Sequence, residues 1–333
     1  MCISKLFKLP KKNLIIIAGV ILVFLLIIFW GSLFGSKKSS GGAKKLVLII
    51  QNAEHPALNA TRRGILELLQ SNKDIKVTFQ SAQDQDLLAS QIAKKFVSAN
   101  PLPAVMVGIG TMATQALIAT RGNNLIPIVF SSVTDPMNFK SIKIPNSPDS
   151  MITGVSSYID PSLHFDLFKK ILPNLSTVGI LYNPANLNSV ILVEMMKKIA
   201  AVKNLQLMVA TINNSEDVVQ AMHTLMDHHV QAVFINNDNT ALSAFKSIVN
   251  ISTKNKIPVF CSNVDLLDEG ALAVLGVNQY EIGKQTGGLI IRVLKGEKTN
   301  TMPVIFPRQT EVHVNFKKAT ELGIKVPDHI KVD

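Results

Sequence analysis

From Leu46 onward, short apolar runs alternate with stretches whose apolar positions recur every three or four residues. The runs at 46–50, 75–79, 105–108 and 126–130 are β-branched and predict strands. Between them the spacing predicts helices over 59–69, with Ile65, Leu68 and Leu69 on one face, over 86–97, with Leu88, Ile92 and Phe96 four apart, and over 111–119. The alternation then starts again: strands at 178–182, 205–210, 232–235 and 258–260, and helices at 189–202, 215–226 and 241–253. A further helix is expected over 279–294, with strands at 270–277 and 303–306. Strands separated by helices of ten or more residues imply parallel sheets with right-handed crossovers, an α/β fold.

The two halves also resemble each other residue by residue, at an offset of about 130 positions. Asn124-Leu-Ile-Pro-Ile-Val-Phe-Ser-Ser returns as Asn255-Lys-Ile-Pro-Val-Phe-Cys-Ser-Asn, and Ala104-Val-Met-Val-Gly returns as Ala232-Val-Phe-Ile-Asn. Two such units predict two Rossmann-like lobes with a cleft between them. The expected division is 46–155 plus about 277–300 for lobe 1, and 156–276 plus about 301–333 for lobe 2.

The chain of 333 residues carries a formal net charge of +11. Residues 1–45 hold eight lysines and no acid, which leaves 26 bases facing 23 acids in the remainder. The folded part is therefore only mildly basic, which argues against a nucleic-acid partner. Residues 14–30 form a run of 17 without a charge, enough to span a bilayer with its flanks. The expected order is a basic segment over 1–13, a transmembrane anchor or signal segment over 14–35, and a flexible linker over 36–45. Bulky Trp30, Leu33 and Phe34 spoil the nearby signal-cleavage positions and favour a retained anchor. That makes the chain a single-pass membrane protein, and four lysines on each side of the run leave its orientation open. Cys2 and Cys261 flank the apolar run, so no internal disulfide is expected.

In open parallel sheets, ligands bind at the carboxyl ends of the strands. The loops there are small and polar: 51–55, 108–111, 131–135, 183–189, 236–240 and 262–263. Several lead into helices, whose free N–H groups suit a carboxylate or phosphate. The same residue types are also ordinary helix N-caps. Gly108-Ile-Gly-Thr-Met-Ala fits a short dinucleotide fingerprint, but it follows the third strand and lacks an acid at the required distance. Cys261 ends a strand with no histidine placed near it, so a buried apolar thiol is expected. His223, His228 and His229 cluster at a helix end, where histidines suit the dipole as well as a metal. No paired acid and base suggests an enzyme, and no metal or cofactor is expected.

Glu-His-Pro-Ala-Leu at 54–58, Ile-Val-Phe-Ser-Ser-Val-Thr-Asp-Pro at 128–136, Ile-Thr-Gly-Val-Ser at 152–156, Val-Gly-Ile-Leu-Tyr-Asn-Pro at 178–184 with Asn188 and Ser189, Asp238-Asn-Thr, and Gly283-Lys-Gln-Thr-Gly together resemble one family. It is the tryptophan/tyrosine-type ABC-transporter substrate-binding proteins, of the type I periplasmic-binding-protein fold. The resemblance covers roughly residues 45–307. It implies a non-enzymatic ligand trap on the periplasmic or extracellular side of the inner (cell) membrane that closes about a hinge, holds a small amino acid or related carboxylate, and delivers it to an ABC permease. It implies that Thr111, Ser131, Ser132 and Thr134 grip a carboxylate, that Asp238 meets an ammonium, and that Asn188, Ser189 and Asn239 complete the wall. Glu54 and Asn263 join the expected site; Asn263 stands where an acid is common. The spanning segment and the missing lipobox depart from the family pattern. A membrane-anchored sensor ectodomain is the alternative expectation, and a neighbouring permease and ATPase rather than a kinase or cyclase would separate the two.

Overall fold

The computed structural model describes residues 44–122, 124–136, 151–327 and 330. The basic segment, the membrane segment and nearly all of the linker lie outside these residues. Among the described residues no helix is long and apolar enough to cross a membrane. The expected linker is shorter at its end, because Lys45 is already the first residue of a strand.

The described residues from Lys45 onward form one compact unit built on two sheets. The first contains β1 (Lys45–Gln51), β2 (Ile75–Ser81), β3 (Val105–Ile109), β4 (Ile128–Val133) and β5 (Ile152–Ser156), all parallel, in the order β2-β1-β3-β4-β5. The second contains β6 (Thr177–Tyr182), β7 (Gln206–Thr211), β8 (Ala232–Ile235), β9 (Val259–Cys261), β10 (Ala273–Gly276) and β11 (Glu311–Val314), in the order β11-β10-β9-β8-β6-β7. Setting aside the antiparallel edge strand β11, both sheets use the same order, so the sequence repeat is a repeat of topology.

Both faces of these sheets are covered, which is why the strands read as continuous apolar runs. In β1, Val47 and Ile49 join one buried cluster while Leu48 and Ile50 join another on the opposite face. The helices of the first half are α1 (Pro56–Gln70), α2 (Asp86–Val97) and α3 (Thr111–Arg121). The second half supplies α4 (Pro161–Ile171), α5 (Leu187–Val202), α6 (Val218–Asp227), α7 (Asn239–Ser243), α8 (Phe245–Lys254), α9 (Gln279–Leu294) and α10 (Phe316–Leu322). Phe168 of α4 packs on Phe234 and Phe260 of the second sheet, with ring centroids 5.3 Å and 4.4 Å away, and Phe165 meets Phe168 edge-on at 5.8 Å.

Helix α9 follows a strand of the second sheet yet packs on α1 beside the first. The approach is backbone to backbone. A Cβ on Gly283 would sit 2.1 Å from the Thr61 carbonyl oxygen, and one on Gly64 would sit 2.2 Å from that of Tyr280. The chain passes between the sheets three times, at 157–160, 277–278 and 306–310. Near the third passage, Ser156 N–H donates to Ile305 O at 2.8 Å and Ile305 N–H donates to Gly154 O at 2.9 Å.

Several expected elements differ. The helix at 241–253 is two helices, α7 and α8, with Ala244 between them. The segment 215–226 begins as a 3-10 turn at Ser215–Asp217 before α6. The strand at 303–306 is reduced to a single bridge between Val155 and Ile305, and that at 270–277 to β10. Helix α1 starts three residues before 59, because Pro56 at its first position needs no N–H partner. Strands β5 and β11 and helices α4 and α10 were not among the expected elements.

Candidate functional site

The carboxyl ends of β1, β3 and β4 face those of β6, β8 and β9 across a polar cavity. It is lined by Asn52, His55, Ala57, Leu58, Gly110, Thr111, Ser132, Thr134, Ser157 and, from α9, Gln279 on the side of the first sheet, and by Asn188, Asn237, Asn239 and Leu242 on the side of the second. The space between atoms is about 380 Å³, part of it continuous with solvent. None of these lining side chains carries a formal charge unless His55 is protonated.

The first wall is fixed from within. Asn52 Oδ1 accepts from Ala113 N–H at 2.7 Å, tying the loop after β1 to the first turn of α3. Gly110 has φ +90, and a Cβ there would lie 2.6 Å from the Asn52 side chain. A Cβ on Gly108 would lie 2.5 Å from Thr114 Oγ1. The two glycines of the fingerprint-like stretch thus serve close packing. Ser132, the last residue but one of β4, has φ +53, where the β4/β5 register shifts between Ser131 and Val133. Its Oγ donates to Gln279 Oε1 at 2.7 Å and lies 2.8 Å from Thr61 Oγ1, joining β4 to α9 and α1.

The second wall is likewise tied. Asp238 caps α7: Oδ1 accepts from Ala241 N–H at 2.9 Å and Oδ2 accepts from Asn183 N–H at 2.8 Å. Asn183 Nδ2 donates to Thr240 Oγ1 at 2.9 Å. Asn188 Nδ2 reaches Asn237 O at 3.4 Å, and Ser262 Oγ donates to Asn237 Oδ1 at 3.0 Å.

The walls also touch each other. His55 Nε2 lies 3.1 Å from Asn239 Oδ1, and Asn239 Nδ2 donates to Asp84 Oδ1 at 2.8 Å. Burial lowers the His55 pKa to about 4, opposed by the Asn239 hydrogen bond and the nearby Glu54 charge. Burial also raises the Asp84 carboxyl above its ordinary range, opposed by its bond from Asn239. His55 Nδ1 is buried and has no hydrogen-bond partner.

Of the expected site residues, Thr111, Ser132, Thr134, Asn188 and Asn239 line the cavity, and Glu54, Ser131, Ser189, Asp238 and Asn263 do not. Glu54 is exposed and pairs with Arg62 at 2.8 Å. Ser131 is buried against Thr286 Oγ1 at 2.6 Å. Asp238 is fully buried with both oxygens engaged by main-chain N–H groups, so it is a structural cap. Asn263 accepts from Asp265 N–H at 3.1 Å as the cap of a 3-10 turn. Ser189 is buried at the start of α5. Asn52, His55, Ser157, Asn237 and Gln279 also line the cavity without being expected there, although Asn52, His55 and Asn237 stand in the polar loops and Ser157 directly follows the run at 152–156. Gln279 gave no such signal; it reads as the first residue of a helix.

Cys261 is buried, and burial pushes its thiol up to about 12, which leaves it protonated and unreactive. Among the described residues no group of three or more His, Cys, Asp or Glu side chains is placed to hold a metal ion.

A family model described as ABC transporter substrate binding protein matches residues 46–333. The chain is 30% identical over 290 residues to a tyrosine-binding protein of Clostridioides difficile, covering 85% of this chain and 83% of that one. It superposes with a TM-score of 0.79, at 28% identity, on an ABC domain in complex with L-Trp from Streptococcus pneumonia, covering 85% of this chain and 97% of that chain. With a ligand-free, open substrate-binding protein with adhesive properties from Clostridium difficile, the TM-score is 0.65 at 29% identity, covering 87% and 98%. At nearly equal identity the better match is to the complex, in keeping with the hydrogen bonds that join the two walls here. The chain belongs to the ABC transporter substrate-binding protein family, with two parallel-sheet lobes of the type I periplasmic-binding-protein fold.

Proposed function

We propose that the chain is the solute-binding component of an ABC import system, taking a small amino-acid-like ligand between its lobes by hinge closure. The observation that carries this reading is the cross-lobe contact of His55, Asn239 and Asp84 at the edge of a polar cavity. Groups that meet only when two lobes approach favour a closing trap over a rigid scaffold. Leu58 and Leu242 offer the ligand an apolar contact, while Thr111, Thr134 and Asn188 supply hydrogen bonds. The relatives that bind tyrosine and L-Trp make aromatic amino acids the first candidates. The apolar run at 14–30 would hold the lobes at the outer face of the cell membrane and raise their effective concentration near a permease.

Thermal unfolding of the full chain in detergent, across the twenty amino acids, tests the reading. A ligand present at a hundred times its Kd stabilises by about 2.7 kcal/mol, so a true ligand raises Tm by several degrees. Indifference to every amino acid and related carboxylate refutes it.

A further inference from the structure

A zwitterionic ligand presents a protonated amine, yet no carboxylate lines the cavity. Asp238, the acid expected to meet it, is consumed by two main-chain N–H groups. The acid nearest to taking its place stands one step back. Asp84 follows the end of β2 in a turn where Gln83 and Asp84 both have positive φ, at 51 and 58 degrees. Its main-chain N–H is held by Asn52 O at 2.8 Å, and its Oδ1 receives Asn239 Nδ2.

An ionised carboxylate only accepts, so it must face the NH2 end of the Asn239 amide. The amide oxygen is thereby turned to His55, 3.1 Å away, and an amide oxygen also only accepts. His55 must then carry its proton on Nε2. A neutral imidazole with Nε2–H has a bare lone pair on Nδ1, and Nδ1 is the atom left buried without a partner in a residue that lines the cavity. An unmet buried acceptor of this kind is a cost that a ligand donor removes.

We infer that Asp84, Asn239 and His55 form a relay, completed only when the lobes close, that presents His55 Nδ1 as the acceptor for the protonated amine of the ligand. The inference rests on the amino-acid-binding reading above. Asp84 and Asn239 are positioning residues: one fixes the amide, the amide fixes the tautomer. The carboxylate charge at one remove offsets the cost of bringing an ammonium into a cavity without a charged lining. Because Asn239 comes from the opposite lobe, His55 is held in this tautomer by closure itself, which couples recognition of the amine to the closed state. The first turns of α1 and α3 bring Ala57 and Thr111 to the same cavity and suit the carboxylate of the same zwitterion.

The test uses the full chain labelled with 15N-histidine, with L-tyrosine and L-tryptophan as probes beside their desamino analogues, 3-(4-hydroxyphenyl)propionate and indole-3-propionate. In the amino-acid complex His55 is expected to remain neutral with its proton on Nε2, and the desamino analogue is expected to bind about ten- to a hundredfold more weakly, the loss of one hydrogen bond to a charged group. In Asp84→Asn and Asn239→Ala this discrimination between amine and desamino ligand collapses. A purely structural role in closure would instead weaken both ligands by the same factor. An imidazolium in the complex, a proton on Nδ1, or discrimination unchanged in both variants overturns the inference. If the wild-type chain binds no amino acid at all, the amino-acid-binding reading itself fails and the relay falls with it, an outcome distinct from tight binding without the expected tautomer.

Discussion

Replacing His164 by Phe isolates one source of acid sensitivity. His164 lies on α4 with its ring centroid 4.7 Å from that of Phe234, and it is 4% exposed. Burial depresses its pKa from 6.5 to about 3, with only the Asp160 charge opposing. The folded state therefore refuses a proton that the unfolded chain accepts below pH 6.5. The stability tied to this group is fully present above that pH and is lost as pH falls toward 3. At pH 5 the interval is about 1.5 units, and at about 1.4 kcal/mol per unit the loss is about 2 kcal/mol. His55, with a pKa lowered to about 4, adds a loss of similar size at pH 5. The variant removes only the first of these, and it keeps an aromatic ring among Phe168 and Phe234 while deleting the unpartnered Nδ1. Urea unfolding of wild type and His164→Phe, followed by far-ultraviolet circular dichroism at pH 7 and pH 5, gives the measurement. The stability lost between the two pH values should be smaller in the variant by about 2 kcal/mol. Equal losses in both proteins would refute the argument that a buried neutral His164 drives acid destabilisation.

The helix pair α1 and α9 gives a sharp contrast. Gly283→Ala forces a Cβ to within 2.1 Å of the Thr61 carbonyl oxygen and should destabilise by about 1–3 kcal/mol or more. Gly288→Ala on the same helix meets nothing within 4 Å and should be neutral or stabilising by up to about 1 kcal/mol; matched Tm values for the two would count against the packing. Asp238→Ala strips acceptors from the N–H groups of Ala241 and Asn183 and should lower stability by about 2–4 kcal/mol in the absence of any ligand. A variant of normal Tm that merely fails to bind an amine would return Asp238 to the ligand.

The architecture was readable because its strands are buried on both faces. Val105–Ile109 and Ala232–Ile235 have no exposed position, so apolarity runs unbroken and the helices between them show by their period. The repeat between halves was equally plain, since the same strand order needs the same punctuation. Edge and passage segments were not readable. In β11 the residues Glu311 and His313 alternate with valines and are only partly buried, which resembles a loop as much as a strand. Helix α4 begins at Pro161 behind an Asp160 cap, with Ser162 N–H donating to Asp160 Oδ1 at 2.9 Å, a start signal the sequence carries as Asp-Pro-Ser. The break at Ala244 has no glycine or proline to mark it.

The site was legible as a set of loops and not as a set of roles. Asn, Ser, Thr and Asp at strand ends both cap helices and bind solutes, and composition does not separate the two uses. What separates them is the count of lone pairs and protons already engaged. Asp238 has Ala241 three residues on, the spacing at which an N-cap carboxylate meets a helical N–H, and both its oxygens are taken. Asp84 carried no sequence signal, since its place comes from two successive left-handed residues and an asparagine 155 positions away. Polar residues therefore divide into those whose bonds close inside one lobe and those whose bonds close only across the cleft. Asn183, Ser132 and Asp238 belong to the first kind and tie each wall together from within. His55 and Asn239 belong to the second, with their bond spanning the cleft. A wall already satisfied from within offers few fixed charges, so the cavity favours a molecule whose own charges balance and penalises one that brings an unmatched ion. On the proposed amino-acid-binding reading, selectivity for a net-neutral solute would follow from carboxylates engaged within the scaffold, since none of them lines the cavity.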